Sequence, residues 1–109
     1  MKWNPGRQGS GYFKIKLFEY NWPVPFDCYI LKFPEGSHIK SHRDPVTNGS
    51  HFRLNLVLLK AKKGGEFICE NAIFNLNRIK LFRSDIHEHS VNKVISGTRY
   101  VLSIGWLLK

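Results

Sequence analysis

The chain has 109 residues, enough for one domain with a modest core and too few for two. Apolar residues make up 42% and aromatics 14%, which excludes a disordered chain. Lys and Arg (17) outnumber Asp and Glu (8), and the formal net charge of +9 favours anionic partners, whether nucleic acid, an acidic cosubstrate or acidic peptides, without deciding the fold.

Residues 1–11 hold glycines, a proline and basic side chains and read as a mobile arm or lead-in. They contain no apolar h-region, so no signal peptide is expected. The longest apolar runs, LNLVLL and VLSIGWLL, fall far short of a membrane span. A soluble, cytoplasmic protein without membrane contact is the expectation. Cys28 and Cys69 are isolated in apolar surroundings and read as reduced core residues, with a disulfide as the other reading.

Residues 12–20 (YFKIKLFEY) alternate as a strand does. Asn21 to Pro25 interrupts the pattern, since two prolines cannot serve a central strand. Residues 26–33 form a second extended run, closed by a turn at Pro34-Glu35-Gly36, and 38–42 a short strand ending at Asp44-Pro45. An Asn-Gly turn marks the loop 46–50. Residues 52–60 set Phe52, Leu54, Leu56 and Leu58 against Arg53, Asn55, Val57 and Leu59. The basic turn KAKKGG leads into 66–70, followed by 72–76 and 78–82, and 89–95 and 98–108 end the chain around Ser96-Gly97.

No segment carries a helical apolar period. Short strands recurring every roughly eight to twelve residues predict an all-β domain, closed or sandwiched. A jelly roll with few or no helices, spanning 1–109 as one domain, buries such strands while protecting their edges. Trp106 on the last strand is expected inside the barrel.

The chemistry centres on His42-Arg43-Asp44. A histidine and an aspartate two positions apart on an extended segment project to the same side. A third ligand from elsewhere would complete the two-histidine, one-carboxylate facial triad of non-haem Fe(II) oxygenases. Otherwise Asp44 merely precedes Pro45 in a turn. His38, His51, His87 and His89 are the candidates for the third ligand. His87-Glu88-His89 is not the HExxH of zinc proteases, which needs helical spacing.

The stretch from Phe82 to Trp106, FRSDIHEHSVNKVISGTRYVLSIGW, resembles the C-terminal half of the 2-oxoglutarate/Fe(II)-dependent dioxygenase family. That family's HxD…H ligand set is followed, ten positions after the distal histidine, by arginine or lysine. His89 and Arg99 have this spacing, His89-Ser90-Val91 matches its H-x-V pattern, and Gly64-Gly65-Glu66-Phe67 is similar to its GGE-apolar turn. GSHIKSHRDPVTNGSHFRLNLVL adds a likeness to the aspartyl/asparaginyl β-hydroxylase branch, beside some likeness to prolyl hydroxylases. Together the motifs cover about residues 29–107.

The resemblance implies a double-stranded β-helix, with His42, Asp44 and His89 as ligands of Fe(II). It implies 2-oxoglutarate as cosubstrate, its 5-carboxylate held by Arg99 with Thr98 or Ser103 in support, and O2 as oxidant. Arginine suits that task because its charged fork is bidentate. The family's cosubstrate-binding tyrosine would fall at Phe33 or Lys32, which leaves Tyr29 as the substitute. Arg53 and Asn55 either add a polar pair to the barrel interior or lie on the solvent face.

The implied reaction is hydroxylation of a C–H bond, the branch likeness pointing to a peptide or protein side chain or another anionic substrate. Arg43 should point away from the metal, towards the substrate rim. The helices that usually brace the larger sheet are missing, so a homo-oligomer is an expectation. Two other readings stand beside this one. In a cupin-like metal-binding domain that is not an oxygenase, Gly36 and His42 fit the opening motif, but Asp44 departs from it and Arg99 has no role. A basic β-domain could bind nucleic acid along Lys14, Lys16, Lys60, Lys62 and Lys63.

Overall fold

A computed structural model describes residues 3–6, 11–46 and 48–108, and every helix or strand among them is a strand. In chain order these are β1 (Asn4–Pro5), β2 (Phe13–Tyr20), β3 (Phe26–Phe33), β4 (Ile39–His42), β5 (Ser50–Leu59) and β6 (Lys63–Gly64). Then come β7 (Phe67–Ile68), β8 (Phe74–Asn75), β9 (Ile79–Arg83), β10 (His89–Val91), β11 (Val94–Ser96) and β12 (Arg99–Leu108). A seven-stranded sheet has the order β1-β2-β3-β12-β5-β9-β8, and smaller sheets run β4-β10-β7 and β11-β6. All pairings are antiparallel. The all-β jelly roll expected from the strand spacing is the fold observed.

The last strand is central because it bonds on both sides, to β3 from Arg99↔Phe33 to Trp106↔Phe26 and to β5 from Tyr100↔Leu59 to Leu108↔Ser50. Its period of two is clean: Arg99, Val101, Ser103 and Gly105 are buried, and the residues between them are half-buried. The buried face meets the small sheet. Phe33 and Val101 pack there with Val91 and Val94, flanked by Leu31, Ile39 and Phe67. Burying these side chains contributes about 1.5–3 kcal/mol each.

Trp106 departs from expectation. It lies on the outer face, in a transverse row of registered residues: Tyr20, Phe26, Trp106, Phe52 and Arg83. Trp106 stacks on Phe52 with ring centroids 5.8 Å apart, and the Arg83 guanidinium sits over the other side of the row. The outer face of this sheet is itself apolar, with Ile30, Leu102, Leu54 and Leu56 beside that row, so hydrophobicity alone could not tell inside from outside.

The expected strands 66–70 and 72–76 shrink to β7 and β8, and 89–95 splits into β10 and β11. The split has a local cause. Asn92 N donates to Glu66 O, its Oδ1 accepts from Glu66 N, and Lys93 O accepts from Gly65 N, so the chain leaves one sheet for the other there. In the expected arm, Asn4 and Pro5 pair with Lys14 and Phe13; residues 1, 2 and 7–10 lie outside the described residues. Cys28 and Cys69 are buried and unbridged. No helix among the described residues is long and apolar enough to cross a membrane.

Candidate metal centre

β4 and β10 pair with His42 opposite His89, and the chain turns after His42 so that Asp44 N donates to Ser84 O at 2.7 Å. The side chains of His42, Asp44 and His89 then converge, each offering one ligand atom within 4.8 Å of the others. His42 Nε2 lies 3.6 Å from Asp44 Oδ1, and His89 Nε2 lies 3.6 Å from Asp44 Oδ2. Those separations exceed hydrogen-bond length, and three donors this close suit one ion with bonds of about 2 Å.

The outer nitrogens fix the rings. His42 Nδ1 is 2.7 Å from Lys40 O and His89 Nδ1 is 2.9 Å from His87 O, so each ring donates from Nδ1 and presents Nε2 to the common point. The ring of Phe82 packs 4.8 Å from His89, and Phe67 packs 4.9 Å from Phe82, leaving His89 8% exposed. Two neutral imidazoles and a carboxylate fit a first-row divalent ion with open positions on the opposite side.

The other candidate histidines stand apart. His87 Nδ1 accepts from Arg83 N at 3.1 Å, within its own turn. His51 Nδ1 hydrogen-bonds the fully buried Ser84 hydroxyl beside the centre. Burial, and then the Arg53 charge, push the His51 pKa down. Arg43 is exposed beside the centre and takes no part in it.

Behind the centre lies a cavity of about 320 Å³. His42, Asp44 and His89 line it together with Tyr29, Arg53, Asn55, Ser103 and Arg99. Arg53 and Asn55 therefore point inward, as one of the two readings of β5 had it. They belong to a network. Arg53 Nη2 donates to Asp27 Oδ1 at 2.7 Å and Nη1 to Ser103 Oγ at 2.7 Å, and Ser103 Oγ donates to Asn55 Oδ1 at 2.6 Å. Lys14 Nζ lies 5.2 Å from the centre of the Tyr29 ring.

Asp27 was not legible as a site residue. It and Arg53 face each other across Gly105 on β12, and a Cβ at Gly105 would collide with the Arg53 guanidinium. A glycine inside a strand, where another group crosses closely, was the available signal.

Arg99 differs from Arg53. It is 4% exposed, and among the described residues its side chain has neither a carboxylate within ion-pair distance nor a hydrogen bond. Its guanidinium carbon sits 5.3 Å from the centre of the Phe33 ring. Burial pushes its pKa down to about 10. A buried charge is ordinarily paired, and among the described residues this one is not.

No family model matches the chain, and no curated protein matches it. Solved structures do. The chain is similar to the Schizosaccharomyces pombe Cnp3 cupin domain, with TM-score 0.68, 9% identity, 99% of this chain covered and 69% of that one. It is similar to KdgF from Halomonas sp., with TM-score 0.65, 13% identity and coverage of 100% and 90%. A third match, from the Rhodobacter sphaeroides complex of SigE with the anti-sigma ChrR, has TM-score 0.57 and 20% identity, covering 97% of this chain and 48% of the other. At these identities the likeness is one of fold: a cupin-type jelly roll carrying a His-Asp-His cluster able to hold a metal.

Proposed function

We propose that the chain is an Fe(II)- and 2-oxoglutarate-dependent dioxygenase that hydroxylates a C–H bond, with a peptide or protein side chain as the substrate class. The observation that carries this reading is Arg99: a buried guanidinium with no counter-charge among the described residues, lining the same cavity as the three convergent side chains. A metal-binding domain needs no such cation. A cosubstrate with a chelating keto-acid at one end and a carboxylate at the other supplies what each end lacks.

In this reading His42, Asp44 and His89 hold the ion, and their Nδ1–H bonds to backbone carbonyls keep both rings turned towards it. Iron, 2-oxoglutarate and O2 together supply the oxidation: one oxygen atom enters the substrate C–H bond, and the other enters succinate as carbon dioxide leaves. Arg99 binds the 5-carboxylate with a two-pronged hydrogen bond, strengthened because the site is dry. Arg53 has its charge met by Asp27 and acts instead by holding Ser103 and Asn55 in place. Phe33, Phe67 and Phe82 exclude water from the two charged ends.

A metal-binding cupin-type domain without oxygenase activity is the second reading, favoured by the likeness to the Cnp3 cupin domain. One experiment separates the two. Anaerobic addition of Fe(II) and 2-oxoglutarate should produce a weak visible charge-transfer band and, with Mn(II), a 2-oxoglutarate-dependent rise in Tm. Metal binding without either response would leave only the second reading. Mass spectrometry of candidate peptides for one added oxygen atom then tests the substrate class.

A further inference from the structure

On the side of Arg99 away from the metal-facing cavity is a second chamber of about 470 Å³. Lys60, Lys62, Lys63, Lys80 and Arg99 line it, against the single carboxylate of Glu66. Lys60 and Lys62 lie on the turn after β5, Lys63 opens β6, and all three are exposed. Lys80 is different. It projects inward from β9 in register with Asn55, and it is half-buried. Burial, and then the neighbouring charges of Arg99 and Lys60, push its pKa down.

The turn is built to lie over this place. Gly64 and Gly65 take φ of 76° and 66°, and a Cβ at Gly65 would come within 2.8 Å of Val94 Cγ2 and 3.5 Å of Arg99 Cδ. Without side chains there, the backbone settles on the Arg99 stem and brings the three lysines to the chamber mouth. Lys80 Nζ donates to Leu76 O and Lys60 Nζ to Asn77 Oδ1, both neutral acceptors, so these contacts leave the positive charge of the chamber unneutralised.

We propose that this chamber is a binding site for a small phosphate-bearing anion, distinct from the metal-facing cavity. Ammonium groups converging without a planar fork suit phosphate as point charges, and phosphate carries more charge per group than a carboxylate. The lysine excess over Glu66 suits a ligand with at least two negative charges. The chamber shares Arg99 with the metal-facing cavity, so its test is run without metal or 2-oxoglutarate, and failure to bind the anion there leaves the oxygenase reading to its own test.

The test is calorimetric titration of inorganic pyrophosphate into the metal-free protein at moderate salt. Saturable binding of one pyrophosphate per chain is expected, weakened at least tenfold by Lys80→Gln and by the exposed pair Lys62→Gln/Lys63→Gln, which leaves the fold untouched. Lys40→Gln, an exposed charge on β4 outside the chamber, serves as the control and should leave the affinity unchanged. Absence of saturable binding, several pyrophosphates per chain, or an equal loss in Lys40→Gln would each overturn the proposal, the last two by showing that net charge alone attracts the anion.

Discussion

Replacing Arg99 with methionine is expected to stabilise the ligand-free protein while removing its response to 2-oxoglutarate. The guanidinium is 4% exposed, and burial alone brings its pKa down to about 10. A displacement of that size corresponds to about 3 kcal/mol of unfavourable free energy for keeping the charge in the fold. Against it stands the contact with the Phe33 ring at 5.3 Å, worth about 2 kcal/mol when desolvated. Methionine keeps an unbranched apolar stem in the same space, so no large cavity opens. The net gain is about 1 kcal/mol, or roughly 4–8 °C in Tm for a domain of this size. Urea unfolding without metal or cosubstrate measures it, and the 2-oxoglutarate-dependent Tm shift with Mn(II) measures the loss. A variant destabilised by more than about 1 kcal/mol would show that the guanidinium supports the fold, and would refute the anion-anchor argument.

Other substitutions separate the neighbouring roles. His42→Ala and His89→Ala should each abolish Mn(II) binding by calorimetry, while His87→Ala, whose ring is tied to Arg83 N, retains it; the reverse pattern for His87 and His89 would reassign the ligand. Phe82→Ala removes a 1%-exposed ring packed on His89 and should cost about 3–4 kcal/mol in urea unfolding together with metal affinity. Unchanged metal affinity in that variant would free Phe82 of any part in positioning His89. For pH, the half-buried His51 holds its proton less readily than the unfolded chain does. Unfolding therefore takes up a proton as pH falls below about 6.5, and stability present at neutral pH is lost on the acid side. His51→Asn should flatten the change between pH 7 and 5.5, and an unaltered slope would assign it to other groups.

The ligand pair was legible because it is local: His42 and Asp44 need only an extended chain to share a side. His89 and Arg99 came from the family resemblance, whose spacing of ten positions from histidine to arginine they match. What eluded the sequence was long-range or two-sided. Asp27 meets Arg53 only through the register across Gly105, which no local pattern encodes. Trp106 was misplaced because both faces of β12 carry large apolar side chains, so alternation fixed two faces without saying which one faces the core. The second chamber depends on a turn, a register position on β9 and a buried arginine, three features that neither periodicity nor motif spacing brings together.

The two cavity arginines give the strongest argument that the interior is built for a ligand. Both extend from strands of one sheet into one cavity, and both would need a counter-charge for the fold alone. Arg53 has it, at 2.7 Å from Asp27, with Gly105 clearing its path. Arg99, the more deeply buried of the two, has an aromatic face and no carboxylate among the described residues. A fold this small has little stability in reserve. An unneutralised buried cation draws on that reserve. Departures from local consistency concentrate at functional positions, and this one sits in the same cavity as a ready-made set of metal ligands. Under the proposed function, that counter-charge arrives as the 5-carboxylate of the cosubstrate.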